Sequence, residues 1–330
     1  MKKTLSSDVL FINEQDEIEK ITSSIRENLS RKLKRRGLVI AVSGGVDSAV
    51  CAALCVEALG KNKVFGLLLP ETDSSSASVT LGKKLVEQLG INFLIQDIAP
   101  TLEAIGCYEW RDKAIKLIFP DYNNKWKSKI TISGGQEGKI NHFMVVVQTP
   151  DGEIKQERLG IKEYLQIVAA TNYKQRIRKT VEYFHADRLN YAVVGTPNRV
   201  EYDQGFFVKN GDGSADIKPI AHLFKTQVYA LAKYFKLPEG ICTAAPTTDT
   251  YSMPQGQDEF YFSLPYHKMD LALWSLNNNV PASELAELLD VSVEQAQFVY
   301  KDIISKRRTT SYQHSKPILI ESVDEIYQSG

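Results

Sequence analysis

The residues with the clearest chemical potential lie at positions 43–48, where the chain reads Ser-Gly-Gly-Val-Asp-Ser after a short apolar run. Two glycines let the backbone turn tightly and present amide hydrogens to an anion at the start of a following helix. Ser43 and Ser48 add hydroxyl donors, and the Asp47 carboxylate suits a phosphate-bound Mg²⁺. We interpret this segment as a phosphate-binding loop formed by Ser43, Gly44, Gly45, Val46, Asp47 and Ser48.

A plain glycine-rich turn is the alternative interpretation, but such a turn does not need an aspartate between two serines. The loop also lacks the lysine of GxxxxGK[ST], so it is not the common P-loop. It resembles the SGGxDS loop of the N-type ATP pyrophosphatases, which bind pyrophosphate and transfer AMP to an acceptor. Members of that family differ in the acceptor, so the loop alone leaves the acceptor open.

The second half of the chain narrows the acceptor. Residues 195–225 read GTPNRVEYDQGFFVKNGDGSADIKPIAHLFK, residues 173–179 read YKQRIRK, and residues 246–250 read PTTDT. Together these segments resemble the ammonia-dependent NAD synthetases over most of residues 37–310, with an insertion excepted. The resemblance implies ATP-dependent amidation of deamido-NAD by ammonia, through an adenylated intermediate, with release of AMP and pyrophosphate.

The same resemblance assigns roles to individual residues. ATP contacts fall on Thr196, Lys225 and Thr247, and Glu201 is the second Mg²⁺ ligand opposite Asp47. The dinucleotide contacts fall on Arg176, Lys209, Asp216, Lys306 and Arg307. Catalytic roles fall on Asp47, Lys209, Asp212 and Lys225. For each of these residues a solvated charge or an ordinary turn is the alternative.

Two basic segments need closer attention. Arg176 and Arg178 are two residues apart on a predicted helix and therefore point about 200° apart, so we expect only one to face the site. The family pattern selects Arg176 and leaves Arg178 to a partner or solvent. Lys306, Arg307 and Arg308 match a substrate-contacting segment, although Ser305 stands where many relatives have histidine. No protein nucleophile is required, and Asp212 is a candidate for the group that takes a proton from ammonium.

The elements that must position these residues form a βα pattern. Strand-like runs lie at 37–43, 63–70, 92–98 and 191–196, and amphipathic or apolar helices are predicted at 16–36, 49–60, 76–89, 101–118 and 163–185. This order predicts an α/β fold with a Rossmann-like, doubly wound parallel sheet and flanking helices. Residues after 263 are predicted to be helical. We expect residues 1–330 to form one NAD synthetase domain.

Residues 119–160 interrupt this pattern with strand-like runs and a turn at Pro150-Asp151-Gly152. We interpret them as an inserted β-hairpin region. A substrate lid, a subunit contact and a simple surface elaboration all remain open for this segment.

Composition limits the remaining possibilities. Forty Lys and Arg residues balance forty Asp and Glu residues, which counts against a tRNA-modifying pyrophosphatase. The four cysteines form no CxxC pair, and we expect them to be buried apolar residues. No signal peptide or membrane span is evident, so we expect a cytoplasmic protein. A non-catalytic nucleotide-binding module is the remaining alternative.

Two further expectations concern the source of ammonia and the oligomeric state. Only 36 residues precede the first predicted strand, which is too short for a glutaminase domain. Cys107 lies in a predicted core helix and is a poor candidate for a glutaminase nucleophile, so free ammonia or a separate glutaminase is expected. Relatives are homodimers, and the resemblance implies a homodimer here, with the predicted helix 163–185 as a possible contact surface.

Overall fold

The structure is a computed structural model that describes residues 6–133, 142–244, 251–253, 256 and 264–323. A four-stranded parallel sheet lies at its centre, in the order β3-β2-β1-β7. Its strands are β1 (Leu38–Ala41), β2 (Val64–Leu68), β3 (Asn92–Ile95) and β7 (Ala192–Val193). The strand order reverses between β1 and β7, which places a crevice at the carboxyl ends of these two strands.

Helices connect these strands, and further helices follow as far as His314. They are α1 (Glu14–Glu27), α2 (Val46–Leu59), α3 (Ser76–Leu89), α4 (Ala99–Ala104), α5 (Cys107–Lys116), α6 (Ile161–Leu189), α7 (Arg199–Gln204), α8 (Lys225–Tyr234), α9 (Glu239–Thr243), α10 (Tyr266–Asn277), α11 (Ala282–Leu289), α12 (Val293–Thr309) and α13 (Ser311–His314). The predicted α/β class with a doubly wound parallel sheet is confirmed.

Both faces of the sheet are covered by helices. One face packs against α1, α2, α3 and α8, with Ile25, Leu54 and Leu231 among the buried side chains. The other face packs against α4, α5 and α6. Strands covered on both faces read as continuous apolar runs, which is why residues 38–40 contain no polar side chain.

Several element boundaries differ from the prediction. The helix predicted at 101–118 is broken into α4 and α5 at Gly106, whose φ of +76° is left-handed. The fourth strand is shorter than predicted. Only two residues of 191–196 pair with β1, and Val194 forms an isolated bridge to Ile217. The first predicted helix is α-helical only as far as Glu27, and a π-helical turn, Asn28–Leu33, follows it.

The insertion forms a second sheet of three antiparallel strands. They are β4 (Lys127–Ser133), β5 (His142–Gln148) and β6 (Ile154–Arg158). The predicted turn at Pro150-Asp151-Gly152 joins β5 to β6, and β4 extends the expected hairpin to three strands. This sheet packs on α5 and the first half of α6 through a separate apolar core that includes Ile115, Val145 and Ile167.

The C-terminal region is helical as predicted, and its helices pack together. Helices α10, α11 and α12 form a further apolar core with Leu273, Leu285 and Ile303. Among the four cysteines, Cys51, Cys55 and Cys107 are buried as expected, whereas Cys242 is only half-buried. In the described ranges, no helix combines the length and the apolar character needed to cross a membrane.

Candidate active site

A cavity of about 1210 Å³ opens at the carboxyl edge of the parallel sheet. Its walls come from the loop between β1 and α2, the segment after β2, one side of α6, and residues 205–212 after α7. The start of α8 and the end of α12 close the remaining sides. A volume of this size is above the range of about 300–1,000 Å³ that is usual for small-molecule sites. The cavity is therefore large enough for more than one nucleotide.

The predicted phosphate-binding loop lines one end of this cavity. Gly44 has a φ of +83°, and a Cβ atom at this position would lie 2.3 Å from the Ser78 carbonyl oxygen, so only glycine fits. Inside the loop, the Ser43 amide donates to Ser48 Oγ at 3.2 Å, and Ser48 Oγ donates to the Gly45 carbonyl at 3.0 Å. These bonds hold the loop in one conformation.

The loop leads directly into α2, whose first residue is Val46. Within the described residues, no side chain caps the N-terminus of α2. The first-turn amides of an uncapped helix are donors for an anion, and the helix dipole favours negative charge at this end. This arrangement can bind phosphate oxygens.

Asp47 is held from two sides. Its Oδ2 atom accepts a short hydrogen bond from Lys225 Nζ, and its Oδ1 atom accepts from Asn198 Nδ2 at 3.3 Å. Lys225 is the first residue of α8, as predicted, and it is buried. Burial alone lowers the pKa of Lys225, but the carboxylates of Asp47 and Glu201 outweigh it and raise this pKa above its usual value. Lys225 therefore stays protonated at neutral pH.

The same asparagine, Asn198, links Glu201 to Asp47. Asn198 is the N-cap of α7, and its Oδ1 atom accepts from the Glu201 amide at 3.2 Å, while Glu201 Oε2 accepts from the Asn198 amide at 3.1 Å. This reciprocal capping box is recognisable in the sequence as Asn-Arg-Val-Glu. Asn198 thus bonds to both acidic residues, a link that the sequence analysis did not identify.

The two carboxylates fit a metal that arrives with a nucleotide. In the part of the chain that the structure describes, no group of three or more His, Cys, Asp or Glu side chains is placed to hold a metal ion. Mg²⁺ on a nucleotide needs only one or two protein carboxylates, because phosphate oxygens and water complete its coordination. Asp47 and Glu201 both line the cavity and satisfy this requirement.

A buried carboxylate also supports Lys225 from behind. The Asp270 carboxylate, on α10, accepts from the Lys225 amide at 3.3 Å and from the Thr226 amide at 2.8 Å. It therefore caps the N-terminus of α8 from a distant part of the chain. Burial raises the pKa of Asp270 to about 6, against the lowering effect of the Thr226 bonds. Asp270 was not predicted as a site residue, because it lies 45 positions after Lys225 in the sequence.

Positively charged residues line the opposite side of the cavity. Arg176, on α6, donates from Nε to the Lys209 carbonyl at 3.3 Å. Lys209 Nζ donates to the backbone carbonyls of Tyr312 and Ser315 at 2.9 Å each. Lys306 pairs with Asp302 at 2.6 Å. Arg176, Lys209 and Lys306 all border the cavity, as expected of groups that bind an anionic dinucleotide.

The expectation that only one of Arg176 and Arg178 faces the site is wrong. Arg178 has a partner, since its Nε donates to the Leu69 carbonyl at 3.3 Å, but it also lines the same cavity as Arg176. The helical geometry is as expected, but the cavity curves around α6 and long arginine side chains reach it from two sides. Both arginines therefore contribute positive charge.

Asp212 lies deep in the cavity wall. Its Oδ1 atom accepts from the Val208 amide at 2.7 Å. Burial raises the pKa of Asp212, although the Val208 bond and the charge of Lys179 oppose this shift. Nearby, Lys179 and Glu182 form a buried pair at 2.8 Å that also borders the cavity. A carboxylate with a raised pKa is a better proton acceptor near neutral pH.

Two expected dinucleotide contacts do not line this cavity. Asp216 Oδ2 accepts from the Val193 amide at 2.7 Å and belongs to a small separate recess. Arg307 is directed at Asp203, with Nε to Oδ1 at 2.6 Å and a second bond to Oδ2 at 2.8 Å. Thr196 does border the cavity, just after β7. Thr247 lies outside the described residues.

A buried ionic cluster holds the segment after β2, which forms part of the cavity wall. Lys174 Nζ contacts Glu71 Oε1 at 3.0 Å and Asp73 Oδ2 at 2.5 Å. Arg111 reaches Asp73 Oδ2 at 2.5 Å, and Tyr108 donates to Glu71 Oε2 at 2.8 Å. No local sequence pattern predicts this cluster, because its members are brought together only by tertiary packing.

Comparison with known proteins identifies similar sequences and folds. A family model described as NAD synthase matches residues 17–133 and 111–317. An NH(3)-dependent NAD(+) synthetase from Mesorhizobium japonicum is 50% identical over 318 residues, which cover 96% of this chain and 100% of the relative.

Two solved structures show the same fold at low identity. An NMN synthetase from Francisella tularensis has a TM-score of 0.63 at 21% identity. An NH3-dependent NAD synthetase from Campylobacter jejuni, in complex with the nitrate ion, has a TM-score of 0.61 at 22% identity. Each match covers 94% of this chain and 100% of the other chain.

Proposed function

The chain belongs to the NAD synthase family, and on that premise we propose how its cavity carries out the ATP-dependent amidation of deamido-NAD by ammonia. The enzyme is a ligase that forms a C–N bond, with ATP as cosubstrate. The observation that supports the assignment of roles is that one cavity joins the loop 43–48 to the cationic side formed by Arg176, Arg178, Lys209 and Lys306.

In the first half-reaction, a nicotinate carboxylate oxygen attacks the α-phosphorus of ATP. The bond from the α-phosphorus to the bridging oxygen breaks, and pyrophosphate leaves. The amides of the loop 43–48 and the ammonium group of Lys225 stabilise the charge on the departing pyrophosphate. Mg²⁺, when bound by Asp47 and Glu201, would supply further charge neutralisation at the phosphates.

In the second half-reaction, ammonia attacks the activated carbonyl carbon. The carbon–oxygen bond to AMP breaks, the amide of NAD forms, and the nitrogen loses a proton. We propose Asp212 as the proton acceptor, because its burial raises its pKa and it borders the cavity. Arg176, Lys209 and Lys306 bind the anionic dinucleotide and orient its carboxylate. The roles of Asp216, Arg307 and Thr247 remain predictions from the family resemblance.

A direct assay tests the reaction. The protein is incubated with ATP, Mg²⁺, deamido-NAD and ammonium, and we expect NAD, AMP and pyrophosphate in equal amounts. Formation of ADP, or product only with a mononucleotide acceptor, would show that the proposal is wrong. Glutamine alone in ammonia-free buffer should give no turnover, since we propose free ammonia or a separate glutaminase as the source.

We also propose that the chain acts as one domain in a cytoplasmic homodimer. The surface of α6 supports the dimer, because it exposes several large apolar side chains, including Ile161, Leu165 and Phe184. Light scattering should give twice the monomer mass of 37.0 kDa. Phe184→Glu should shift the protein toward monomer, and an unchanged mass would argue against this surface.

A further inference from the structure

A buried pair of opposite charges borders the cavity on α6. Lys179 Nζ contacts Glu182 Oε2 at 2.8 Å, and the two side chains are only 7% and 4% exposed. Both residues line the cavity. A buried ion pair contributes little net stability compared with apolar side chains of similar volume, because taking both charges out of water is costly. The fold therefore does not require this pair, and its position at the cavity wall needs another explanation.

The pair lies on the side of α6 that supports the loop of Asp212. Gln175, Lys179 and Glu182 are spaced four and three residues apart, so they lie on one side of the helix. The loop packs closely on this side, since a Cβ atom added at Gly211 would lie 3.0 Å from Gln175 Cβ. Asp212 follows Gly211 directly and borders the same cavity. The pair and Asp212 therefore belong to the same wall of the cavity.

Asp212 is surrounded by charges from two parts of the chain. Burial raises the pKa of Asp212, and the charges of Lys179 and Arg178 on α6 oppose this shift. Burial also raises the pKa of Glu182, and repulsion by the Asp212 carboxylate adds to that effect. Lys218, on the segment after the loop, adds a further cation whose charge interacts with Asp212. The proton affinity of Asp212 thus depends on a balance of neighbouring charges.

We propose that Lys179 and Glu182 are a positioning pair that sets how readily Asp212 accepts a proton from the attacking nitrogen. This inference rests on the proposed function. In the step concerned, the carbon–nitrogen bond forms, the bond to AMP breaks, and the nitrogen passes a proton to the Asp212 carboxylate. Lys179 stabilises the ionised carboxylate before that transfer, whereas Glu182 offsets the charge of Lys179 and favours proton uptake. A proton acceptor works best when these effects leave its pKa near the working pH.

The pH dependence of kcat/KM for ammonia tests the proposal, at saturating ATP and deamido-NAD. The ionisation of ammonium in solution is the same for every variant, so it cancels when each variant is compared with the unaltered protein. In Lys179→Met we expect the acidic limb of the profile to move to higher pH by about one unit, because burial then raises the pKa of Asp212 with less opposition. In Glu182→Gln the acidic limb should move to lower pH, since Lys179 then acts on Asp212 without a competing carboxylate.

Opposite shifts in the two variants are the distinguishing result. A purely structural role predicts a lower rate in both variants with no movement of the limb, and that outcome overturns the proposal. Shifts in the same direction overturn it as well, because both variants break the same ion pair and only the sign of the lost charge differs.

A further comparison does not depend on whether Lys179→Met folds. Lys179→Met leaves Glu182 unpaired in a buried position, but Glu182→Gln and the double variant Lys179→Met/Glu182→Gln do not. These two proteins differ only in the charge of Lys179. The acidic limb of the double variant should lie about one pH unit above that of Glu182→Gln, and coincident limbs would refute the role of Lys179.

The matched control is Lys83→Met on α3. Lys83 pairs with Glu87 at 3.8 Å, but the two side chains are 55% and 54% exposed and neither borders the cavity. Its kcat/KM for ammonia should equal that of the unaltered protein at every pH.

Asp212→Asn identifies the group that titrates. The acidic limb should disappear in this variant, and a surviving limb would show that Asp212 is not the proton acceptor. If the limb disappears in Asp212→Asn but does not move in the variants of the pair, Asp212 keeps its role and the inference about Lys179 and Glu182 is wrong. A failure of the proposed function looks different again, because the unaltered protein and Lys83→Met would then form no NAD.

Discussion

Replacing Lys174 by methionine tests the ionic cluster that holds the segment after β2. Lys174 is 1% exposed, and its ammonium group contacts both Glu71 and Asp73, which are also buried. Methionine keeps most of the volume of the side chain and removes its charge. Because Pro70 and Ser74 of this segment line the cavity, the substitution connects fold stability to the active site.

The expected cost follows from the charges that remain. Two buried carboxylates would share one cation, Arg111, which contacts Asp73 at 2.5 Å but has no described contact with Glu71. Removing one partner of a buried ion pair costs about 3–5 kcal/mol in unfolding free energy. We expect about 3 kcal/mol for Lys174→Met, because Arg111 and the Tyr108 hydroxyl still stabilise the carboxylates. Urea denaturation at pH 7 measures this loss.

A matched control is available on α5. Lys113 pairs with Glu109 at 2.6 Å, but their side chains are 59% and 65% exposed. An exposed pair of this kind contributes little to stability, so Lys113→Met should be nearly neutral. Equal losses in the two variants would refute the reasoning, because burial would then have no effect on the cost.

The pH dependence gives a second check. Burial raises the pKa of Asp73, but Lys174 and Arg111 lower it further, so its net pKa is below the usual value. In the unaltered protein this carboxylate stabilises the fold above its usual pKa, and the stabilisation is lost as pH falls through the lower folded value. Without Lys174, burial dominates and a carboxylate takes up a proton more readily. The loss in Lys174→Met should therefore shrink between pH 7 and pH 5, and a constant loss would contradict the argument.

Three further predictions concern the cavity and its supports. Lys225→Met should lower kcat/KM by a factor of about 10²–10³, as for other preorganised charge-stabilising donors, whereas Lys233→Met on the exposed side of α8 should leave kcat/KM unchanged. Lys306→Met should raise the KM for deamido-NAD by about tenfold, whereas Arg307→Met should mainly lower the melting temperature, because Arg307 contacts Asp203 and not the cavity. Because the pKa of Asp270 is raised to about 6, the free energy of unfolding of the unaltered protein should fall by up to about 3 kcal/mol as pH rises from 4 to 7. In Asp270→Asn, urea denaturation at several pH values should no longer show this fall.

Local sequence signals predicted the parts of the site that depend on neighbouring residues. The glycine-rich segment with Ser43, Asp47 and Ser48 was correctly expected to form a loop between a strand and a helix, and this loop lines the cavity. Lys225 was correctly placed at the start of a helix. The alternation of strand and helix patterns predicted the parallel sheet, because a parallel strand pair requires a crossover connection. The break of the predicted helix 101–118 at Gly106 was not predicted, because a single glycine in a helical pattern can either stay within the helix or end it.

Contacts between segments that are far apart in the sequence could not be predicted from local sequence patterns. Lys174 and Glu71 are 103 residues apart, and nothing in either segment indicates the other. The error at Arg178 has the same origin, because helical angles specify directions around α6 but not the shape of the cavity around it. The contribution of Phe143 and Ile132 to the cavity was equally hidden. It depends on how the insertion packs against a helix that extends past the sheet.

The pairing of Asp47 with Lys225 bears on how the site accommodates a nucleotide. An unpaired Lys225 would be costly in a buried position, and the charges of Asp47 and Glu201 offset that cost. A nucleotide brings phosphate oxygens for Lys225 and a cation for the two carboxylates, so each charge gains a new partner of the opposite sign. Asn198 holds Asp47 in place during this exchange, because its Nδ2 donates to the Asp47 oxygen that does not contact Lys225. Asn198→Ala should therefore weaken ATP binding more than binding of deamido-NAD, as measured by calorimetry, and equal losses for both ligands would argue against this role.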